Sequence, residues 1–110
     1  MKLIKSIIRP NKVDEVKDAL ARLNISGITI SEVRGHGKQK GHTAIYRGKE
    51  YDVSLLPKME IEVVVPESVL EDAIKAIIEA ARTGEIGDGR LFVLPVEQAY
   101  RIRTGERDVM

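Results

Sequence analysis

The sequence contains no cysteine and no tryptophan, and it has a single phenylalanine and three tyrosines. The absence of cysteine excludes disulfides, thiolate metal sites and cysteine nucleophiles together. The shortage of aromatic rings leaves few groups that could stack on the bases of RNA. These absences argue against a nucleic-acid-binding module and against any function that needs a thiol.

An excess of charge of one sign is also missing. Lysine and arginine number 18 against 17 aspartates and glutamates, so the net charge is only +1. Non-specific binding to nucleic acid or to a membrane usually needs a strong basic excess or a one-sided basic patch. The sequence therefore gives little support for either kind of partner.

Long apolar runs are absent as well. Lys5 and Arg9 interrupt the hydrophobic stretch that a signal peptide would need, and no segment approaches the roughly 18 apolar residues of a membrane span. We therefore expect a cytoplasmic protein. The length predicts one domain over residues 1–110, because the chain is long enough for a single core and too short for two.

Hydrophobic periodicity predicts six regular elements. The pattern of strands covers residues 2–9, 28–35, 58–66 and 90–96, and helical spacing covers residues 11–24 and 66–82. We expect Asn11 to cap the first helix and Ser68-x-x-Glu71 to form a capping box at the start of the second.

The predicted element order is βαββαβ, which indicates an α+β, ferredoxin-like fold with an antiparallel four-stranded sheet and both helices on one side. Two helices cannot cover both faces of such a sheet. Leu3, Ile7 and Val64 would lie on the uncovered face. We therefore predict an oligomer whose inner surface is made of sheets.

The stretch "GHGKQKGHTAIYRGKEYDVSLLPK", residues 35–58, has no sustained period of two or 3.6 and reads as neither helix nor strand. Loops longer than about 12 to 15 residues are usually functional or disordered. His36 and His42 invite a zinc hypothesis, but no cysteine or close carboxylate completes a ligand set, so solvated or stacking histidines are favoured.

The stretch "TGEIGDGR", residues 83–90, places three glycines between the second helix and the last strand. Closely spaced glycines can adopt the positive φ that lets backbone amides converge on an anion, and Arg90 adds a fixed positive charge. A P-loop is rejected because Arg90 and Leu91 replace its Lys-Ser/Thr pair and a strand follows. A glycine-capped helix that runs into a tight turn remains the simpler interpretation of this stretch alone.

Arg101 and Arg103 flank Ile102 near the end of the chain. In an extended segment both guanidiniums would lie on the same side, where they could share a polyphosphate or a carboxylate, whereas a solvated tail explains the pattern equally well. Together with Arg90 they raise the odds of a nucleotide site. No nucleophile or acid–base pair stands out, so we expect binding groups without a catalyst and no enzyme.

The βαββαβ order, the stretch of residues 35–58, the turn "TGEIGDGR" and the ending "YRIRTGE" resemble the PII nitrogen-regulatory signal proteins over essentially the whole chain. The resemblance implies a barrel-like homotrimer that binds ATP or ADP between neighbouring subunits. It makes the segment of about residues 37–55, between the second and third predicted strands, the flexible T-loop that contacts partner proteins.

The resemblance also implies two sets of ligand contacts. For ATP or ADP they are Thr29, Gly35, Gly37, Gln39, Lys58, Glu62, Val64, Gly87, Asp88, Gly89, Arg90, Arg101 and Arg103. For 2-oxoglutarate they are Gln39, Lys40, Gly41 and Lys58, with Gln39 also on a Mg²⁺ ion that joins 2-oxoglutarate to ATP. No catalytic cofactor is implied.

The function that the resemblance implies is nitrogen-regulatory signalling: the protein senses ATP, ADP and 2-oxoglutarate and controls an ammonium transporter or nitrogen-assimilation enzymes through the shape of the T-loop. Arg47 would enter the transporter pore, which would recruit the protein to the membrane, and Tyr51 lies where many relatives are uridylylated. Arg90 departs from the lysine that is usual at its position.

Two other interpretations stay open. One is a small enzyme on the same fold that hydrolyses or transfers nucleotides with Asp88 or Glu62 as its base. The other is a ferredoxin-like module that binds nucleic acid or amino acids.

Overall fold

The computed structural model describes residues 1–36, 43–46, 49–52 and 55–110, and for 43–46 and 49–52 it describes the backbone alone. The strands of this part of the chain are β1 Lys2–Ile8, β2 Thr29–Gly35, β3 Thr43–Tyr46, β4 Lys49–Asp52, β5 Leu56–Val65 and β6 Arg90–Pro95. The helices are α1 Val13–Arg22, which a short 3-10 helix Pro10–Lys12 precedes, and α2 Glu67–Ala81.

Four strands form one antiparallel sheet in the order β2-β5-β1-β6. The central strand β1 pairs with β5 on one side and with β6 on the other, so Ile4 lies between Val63 and Val93. The described residues contain α1 and α2 beside this sheet, and they form the α+β, ferredoxin-like arrangement that the sequence predicts.

The core lies between the helices and one face of the sheet. Alternate residues of β1 and β5 point into it, and Ile4 and Ile61 are completely buried. Leu20 of α1 and Ile77 of α2 complete the same cluster. Each such side chain contributes about 1.5–3 kcal/mol through burial, so the helices are held chiefly by their apolar faces.

The opposite face of the sheet carries the residues that alternate with the core. Leu3 lies between Val64 and Leu94, and Ile7 lies between Glu60 and Arg90. The prediction that Leu3, Ile7 and Val64 share this face is confirmed. We call it the open face, and the oligomer that would cover it stays a prediction.

Both predicted helix caps are wrong. Asn11 lies within the 3-10 helix, and Lys12 is the N-cap of α1. The N-cap of α2 is Pro66, and Ser68 already lies inside the helix without a capping hydrogen bond. Pro66 fits the cap because its φ of -69° with a ψ of 155° matches the extended backbone that this position needs, where the residue's own N–H is not required.

The prediction that residues 35–58 hold neither helix nor strand is wrong for two short internal segments and for Leu56 and Pro57, which begin β5. β3 and β4 pair as an antiparallel two-stranded sheet, with Thr43 opposite Asp52 and Tyr46 opposite Lys49. Each strand has only four residues, which is too short for a period of two to stand out in the sequence. None of the helices in the described part of the chain is long and apolar enough to cross a membrane.

Candidate functional site

The connection between α2 and β6 is built on glycines with a left-handed backbone. We call residues 83–89 the glycine turn. Gly84, Gly87 and Gly89 have φ values of 91°, 105° and 100°, which residues with a Cβ rarely adopt. The positive φ that the sequence predicts for this stretch is therefore present at all three glycines.

Gly89 is required for a second reason. A Cβ at this position would lie 1.7 Å from the carbonyl oxygen of Ile7, whereas a Cβ at Gly84 would meet nothing within 4 Å. The backbone of the glycine turn is therefore in close contact with β1 at Gly89, whereas the space around Gly84 is open. Close backbone contact fixes the turn relative to the sheet.

The carboxylate of Asp88 holds the glycine turn together from inside. Its Oδ2 accepts the amides of Thr83 at 2.8 Å and Gly84 at 2.9 Å, and its Oδ1 accepts the hydroxyl of Thr83. Nε of Arg9 donates to the same Oδ1 at 3.0 Å. Both carboxylate oxygens are therefore engaged within the protein.

These hydrogen bonds decide the protonation state of Asp88. Burial by itself raises the pKa of the carboxyl, but the bonds from Thr83, Gly84 and Arg9 together outweigh burial and hold the pKa well below its ordinary value. A carboxylate that binds protons so weakly is a poor general base near neutral pH. The geometry gives Asp88 a structural part in the turn and does not favour the catalytic alternative.

Arg9 is a site residue that the sequence analysis missed. It follows β1 directly, and its Nη2 donates to the carbonyl oxygen of Ile86 at 3.0 Å while its Nε reaches Asp88. The two segments lie 79 residues apart, so no local pattern marks the contact. Thr83 was missed for a similar reason, because a single threonine after a helix carries no signal of its own.

Lys58, near the start of β5, connects this strand to the glycine turn. Its Nζ donates to the carbonyl oxygen of Gly87, and its place on β5 is opposite Val33 of β2. Burial and the nearby Arg9 guanidinium lower the pKa of Lys58, while Asp88 opposes the shift. The structure thus brings together two predicted ligand residues, Lys58 and Gly87, from distant parts of the sequence.

The backbone amides of the glycine turn divide into two groups. Those of Thr83 and Gly84 donate to Asp88, and the amide of Glu85 donates to the hydroxyl of Thr83 at 3.1 Å. Within the described residues, no protein acceptor receives the amides of Gly87 and Gly89. Free amides next to lysine and arginine side chains are suited to bind an anion.

A cleft of about 350 Å³ opens beside Lys58 at the ends of β2 and β5. Its lining residues are Pro10, Glu32, Val33, Arg34, Pro57, Lys58 and Met59. The cleft lies where the chain leaves β2 and returns to β5. Glu32 and Met59 pair on the helix-facing side of the sheet, so the cleft opens mainly on that side, whereas the Lys58 side chain belongs to the open face.

Three further predicted contacts share the open face. Thr29 lies opposite Glu62 in the β2–β5 register, and Val64 follows Glu62 on the same face of β5. Lys58 is also on this face, so the predicted contacts form a line from Lys58 to Val64. At about 3.4 Å per residue that line is about 20 Å long. Gly35 lies opposite Leu56 at the cleft end of the line.

Of the two interpretations of Arg101 and Arg103, the extended segment is wrong. The amide of Gly105 donates to the carbonyl oxygen of Arg101 at 2.7 Å, so the chain reverses here, and Tyr100 then pairs with Arg107. Gly105 permits the reversal through its φ of 74°.

The contacts of the tail arginines lie within the tail itself, as far as the structure describes them. Nη2 of Arg101 lies 3.5 Å from Oδ1 of Asp108 within the tail, and Arg103 is exposed. Among the described residues, no hydrogen bond or ion pair joins either arginine to the glycine turn. A single chain thus assembles Lys58, Gly87, Gly89 and Arg90 without them.

Several predicted site residues lie outside the described residues: Gly37, Gln39, Lys40, Gly41, His42 and Arg47. Tyr51 belongs to β4, of which the backbone alone is described. Among the described residues, no three histidine, cysteine, aspartate or glutamate side chains are placed to hold a metal ion.

Comparison with known proteins agrees with this architecture. The family profile described as "Nitrogen regulatory protein P-II" matches residues 1–106. A "Nitrogen regulatory protein P-II" of Azospirillum brasilense is 59% identical over 107 residues, which cover 97% of this chain and 96% of that protein.

Two more relatives have similar coverage. A "Nitrogen regulatory protein P-II" of Haemophilus influenzae is 56% identical, and "Nitrogen regulatory protein P-II 1" of Escherichia coli K12 is 53% identical. Each match spans 108 residues, 98% of this chain and 96% of the relative. The chain therefore belongs to the P-II family of nitrogen regulatory proteins, and its role is in nitrogen-regulatory signalling.

Proposed function

We propose that this protein senses ATP, ADP and 2-oxoglutarate, and that it controls an ammonium transporter or nitrogen-assimilation enzymes through its T-loop. The observation that carries the proposal is the glycine turn, where the amides of Gly87 and Gly89 lie beside Lys58 and Arg90. Amides and fixed cations of this kind match the oxygens of a polyphosphate.

The adenine nucleotide would lie along the open face. Its phosphates would bind the amides of Gly87, Asp88 and Gly89 and the guanidinium of Arg90, and its adenosine end would reach Thr29, Glu62 and Val64. The line of about 20 Å along β5 gives room for this extended pose. Gly35 would border the phosphate end, together with Gly37 and Gln39 of the loop base.

The site would be completed by a neighbouring copy of the chain. Within the described part of the chain, Arg101 and Arg103 make no hydrogen bond or ion pair with the glycine turn. We therefore propose that they reach the phosphates across a subunit boundary. Trimer formation would also cover the open face, where Phe92 and Leu94 are 43% and 41% exposed in the single chain. Large exposed apolar side chains in one patch are typical of interfaces.

2-Oxoglutarate would bind only beside a bound ATP. A Mg²⁺ ion held by Gln39 and the ATP phosphates would take the oxo acid as a further ligand, and Lys40, Gly41 and Lys58 would bind its carboxylates. Amide and carboxylate oxygens are ligands that Mg²⁺ prefers. The ammonium of Lys58 already lies at the glycine turn, so one side chain would contact both ligands. Such coupling reports carbon and energy status together.

The output would be the conformation of the T-loop. β5 leads from this segment straight to Lys58, so a ligand that moves Lys58 also acts on the return of the loop. Arg47 would enter the pore of an ammonium transporter, since a guanidinium remains charged and has five donors for pore carbonyls. Tyr51 would be open to uridylylation in a cell that has the modifying enzyme.

The enzyme alternative loses its first candidate base. Asp88 has both oxygens engaged and its pKa well below the ordinary value, so it cannot accept a proton efficiently near neutral pH. The names of the curated relatives are those of regulatory proteins. We therefore propose binding without turnover.

Titration calorimetry with ATP and Mg²⁺ tests the nucleotide site. Arg90→Ala should weaken ATP by roughly tenfold or more, because a charge-assisted contact to phosphate is lost. Arg22→Ala, a change of an exposed arginine in the last turn of α1, serves as the control. Equal ATP affinity in wild type and Arg90→Ala would exclude the proposed phosphate site.

Pull-downs from membrane and soluble extracts test the output. Wild-type protein should capture different partners with ADP than with ATP and 2-oxoglutarate. Arg47→Ala should lose the transporter and keep its ATP affinity nearly unchanged. A large loss of ATP affinity in Arg47→Ala would contradict this division of roles.

A further inference from the structure

We propose that Thr83 and the carboxylate of Asp88 are positioning residues for a polyphosphate, which act through the shape of the glycine turn and do not touch the ligand. The inference rests on the proposed nucleotide site and assigns it two side-chain roles. It concerns a nucleoside di- or triphosphate as the ligand class.

Thr83, Gly84, Glu85 and Asp88 are joined by a closed ring of hydrogen bonds. The Asp88 carboxylate receives two amides and one hydroxyl from Thr83 and Gly84, and the Thr83 hydroxyl also accepts the amide of Glu85. One threonine hydroxyl therefore both donates and accepts. This ring fixes the path of the chain from residue 83 to residue 88.

The negative charge of Asp88 is paired with Arg9. A carboxylate next to a polyphosphate would repel it, unless its charge is neutralised by other groups. Nε of Arg9 lies 3.0 Å from Oδ1 of Asp88, and the Asp88 side chain is only 22% exposed. The turn thus directs the negative charge inward against Arg9.

The backbone amides at the two ends of the glycine turn have different partners. The ring uses the amides of residues 83, 84 and 85, while those of Gly87 and Gly89 have no protein acceptor within the described residues. At Gly89 the contact with the Ile7 carbonyl leaves no room for the turn to shift toward β1. Loss of the ring would release the other end of the turn and misplace the free amides.

The test combines titration calorimetry of full-length wild type, Thr83→Val, Thr83→Ser and Asp88→Asn with ATP and Mg²⁺. Thr83→Val and Asp88→Asn should each weaken ATP by roughly tenfold, the equivalent of one lost charge-assisted hydrogen bond. Thr83→Ser keeps the hydroxyl and should bind ATP like wild type. Asp72→Asn, which removes an exposed carboxylate on α2, is the charge-matched control and should leave ATP affinity unchanged.

A second measurement separates positioning from general destabilisation. Inorganic tripolyphosphate is titrated into ¹⁵N-labelled protein, and the amide signals of Gly87 and Gly89 are followed. Both signals should shift in wild type and Thr83→Ser, with much smaller shifts in Thr83→Val. Adenosine, which has no phosphate, should bind wild type and Thr83→Val equally.

The outcomes are distinguishable. If wild type binds ATP and all three variants bind it equally well, the positioning role is overturned and the nucleotide site stands. If Thr83→Val weakens adenosine as much as ATP, the ring is merely structural and the inference also fails. If wild type binds neither ATP nor tripolyphosphate, the proposed function itself fails.

Discussion

Arg9 and Asp88 form an ion pair of 3.0 Å across 79 residues of sequence, and both side chains are only about one-fifth exposed, at 21% and 22%. The pair joins the end of β1 to the glycine turn. Because Arg9 also donates to the carbonyl of Ile86, it holds both the backbone and the carboxylate of that turn.

Replacing Arg9 should therefore destabilise the protein. Arg9→Ala removes two hydrogen bonds and leaves a mostly buried carboxylate without its cation, which costs about 1–3 kcal/mol. The matched control is Lys12→Ala, because Lys12 and Glu15 form a more exposed pair at 3.3 Å that is worth about 0.5 kcal/mol or less. Urea unfolding of both variants checks this, and equal losses would contradict the account.

The stability of the protein should depend on pH through Asp88. Its folded pKa is depressed, so its contribution is complete above the ordinary value of about 3.9 and is lost as the pH falls toward the folded pKa. Asp88→Asn should lower the free energy of unfolding by about 2 kcal/mol at neutral pH. The gap to wild type should begin to narrow below about pH 5 and should still be narrowing at about pH 2, because the folded pKa is strongly depressed.

Urea unfolding of wild type and Asp88→Asn at several pH values across this range measures the difference in their free energy of unfolding. Asp72→Asn, on the exposed face of α2, is the control. A gap between wild type and Asp88→Asn that stays constant down to pH 2 would show that the Asp88 carboxylate is not held in the ring.

Gly84 and Gly89 should respond differently to alanine. Both have positive φ, and that strain alone costs about 1–2 kcal/mol in each case. Gly89→Ala must also move the Ile7 carbonyl, which would lie 1.7 Å from the new Cβ, while Gly84→Ala meets nothing within 4 Å. Thermal unfolding should show a clearly larger loss for Gly89→Ala. Similar losses would mean that the turn does not press on β1.

Ser6 should tolerate replacement by alanine despite complete burial. Its hydroxyl has no hydrogen-bond partner in the described part of the chain, and burying an unpaired hydroxyl costs about 1–3 kcal/mol. Ser6→Ala should therefore be at least as stable as wild type. Ile4→Ala on the same face of β1 should lose about 2–5 kcal/mol. A loss above about 1 kcal/mol in Ser6→Ala would point to a hydrogen bond that this account lacks.

The sequence predicts the sheet and helices well because their signals are local. The alternation of residues 59–65 and the helical spacing of residues 66–82 depend only on neighbours in the chain, and both elements lie within about two residues of the predicted bounds. The N-caps are predicted wrongly because residue type alone does not fix the exact residue at which a helix begins. Proline geometry at Pro66 outweighed the serine–glutamate pattern that begins at Ser68.

The site is only partly readable from the sequence. The glycines of residues 84–89 predict a turn with positive φ. They do not predict that the Asp88 carboxylate accepts hydrogen bonds from within the turn, or that Arg9 at the end of β1 contacts it. These contacts depend on topology, which places the end of β1 beside the start of β6. The extended interpretation of Arg101 and Arg103 is wrong because it assumes a straight segment, whereas the chain reverses between Arg101 and Gly105.

The most direct test of the central claim is the affinity for 2-oxoglutarate, measured by titration calorimetry with and without ATP and Mg²⁺. We expect 2-oxoglutarate to bind only when ATP and Mg²⁺ are present, without appreciable nucleotide turnover during the titration. Binding of 2-oxoglutarate that is equally tight without nucleotide, or absent even with ATP and Mg²⁺, would contradict the proposed sensor.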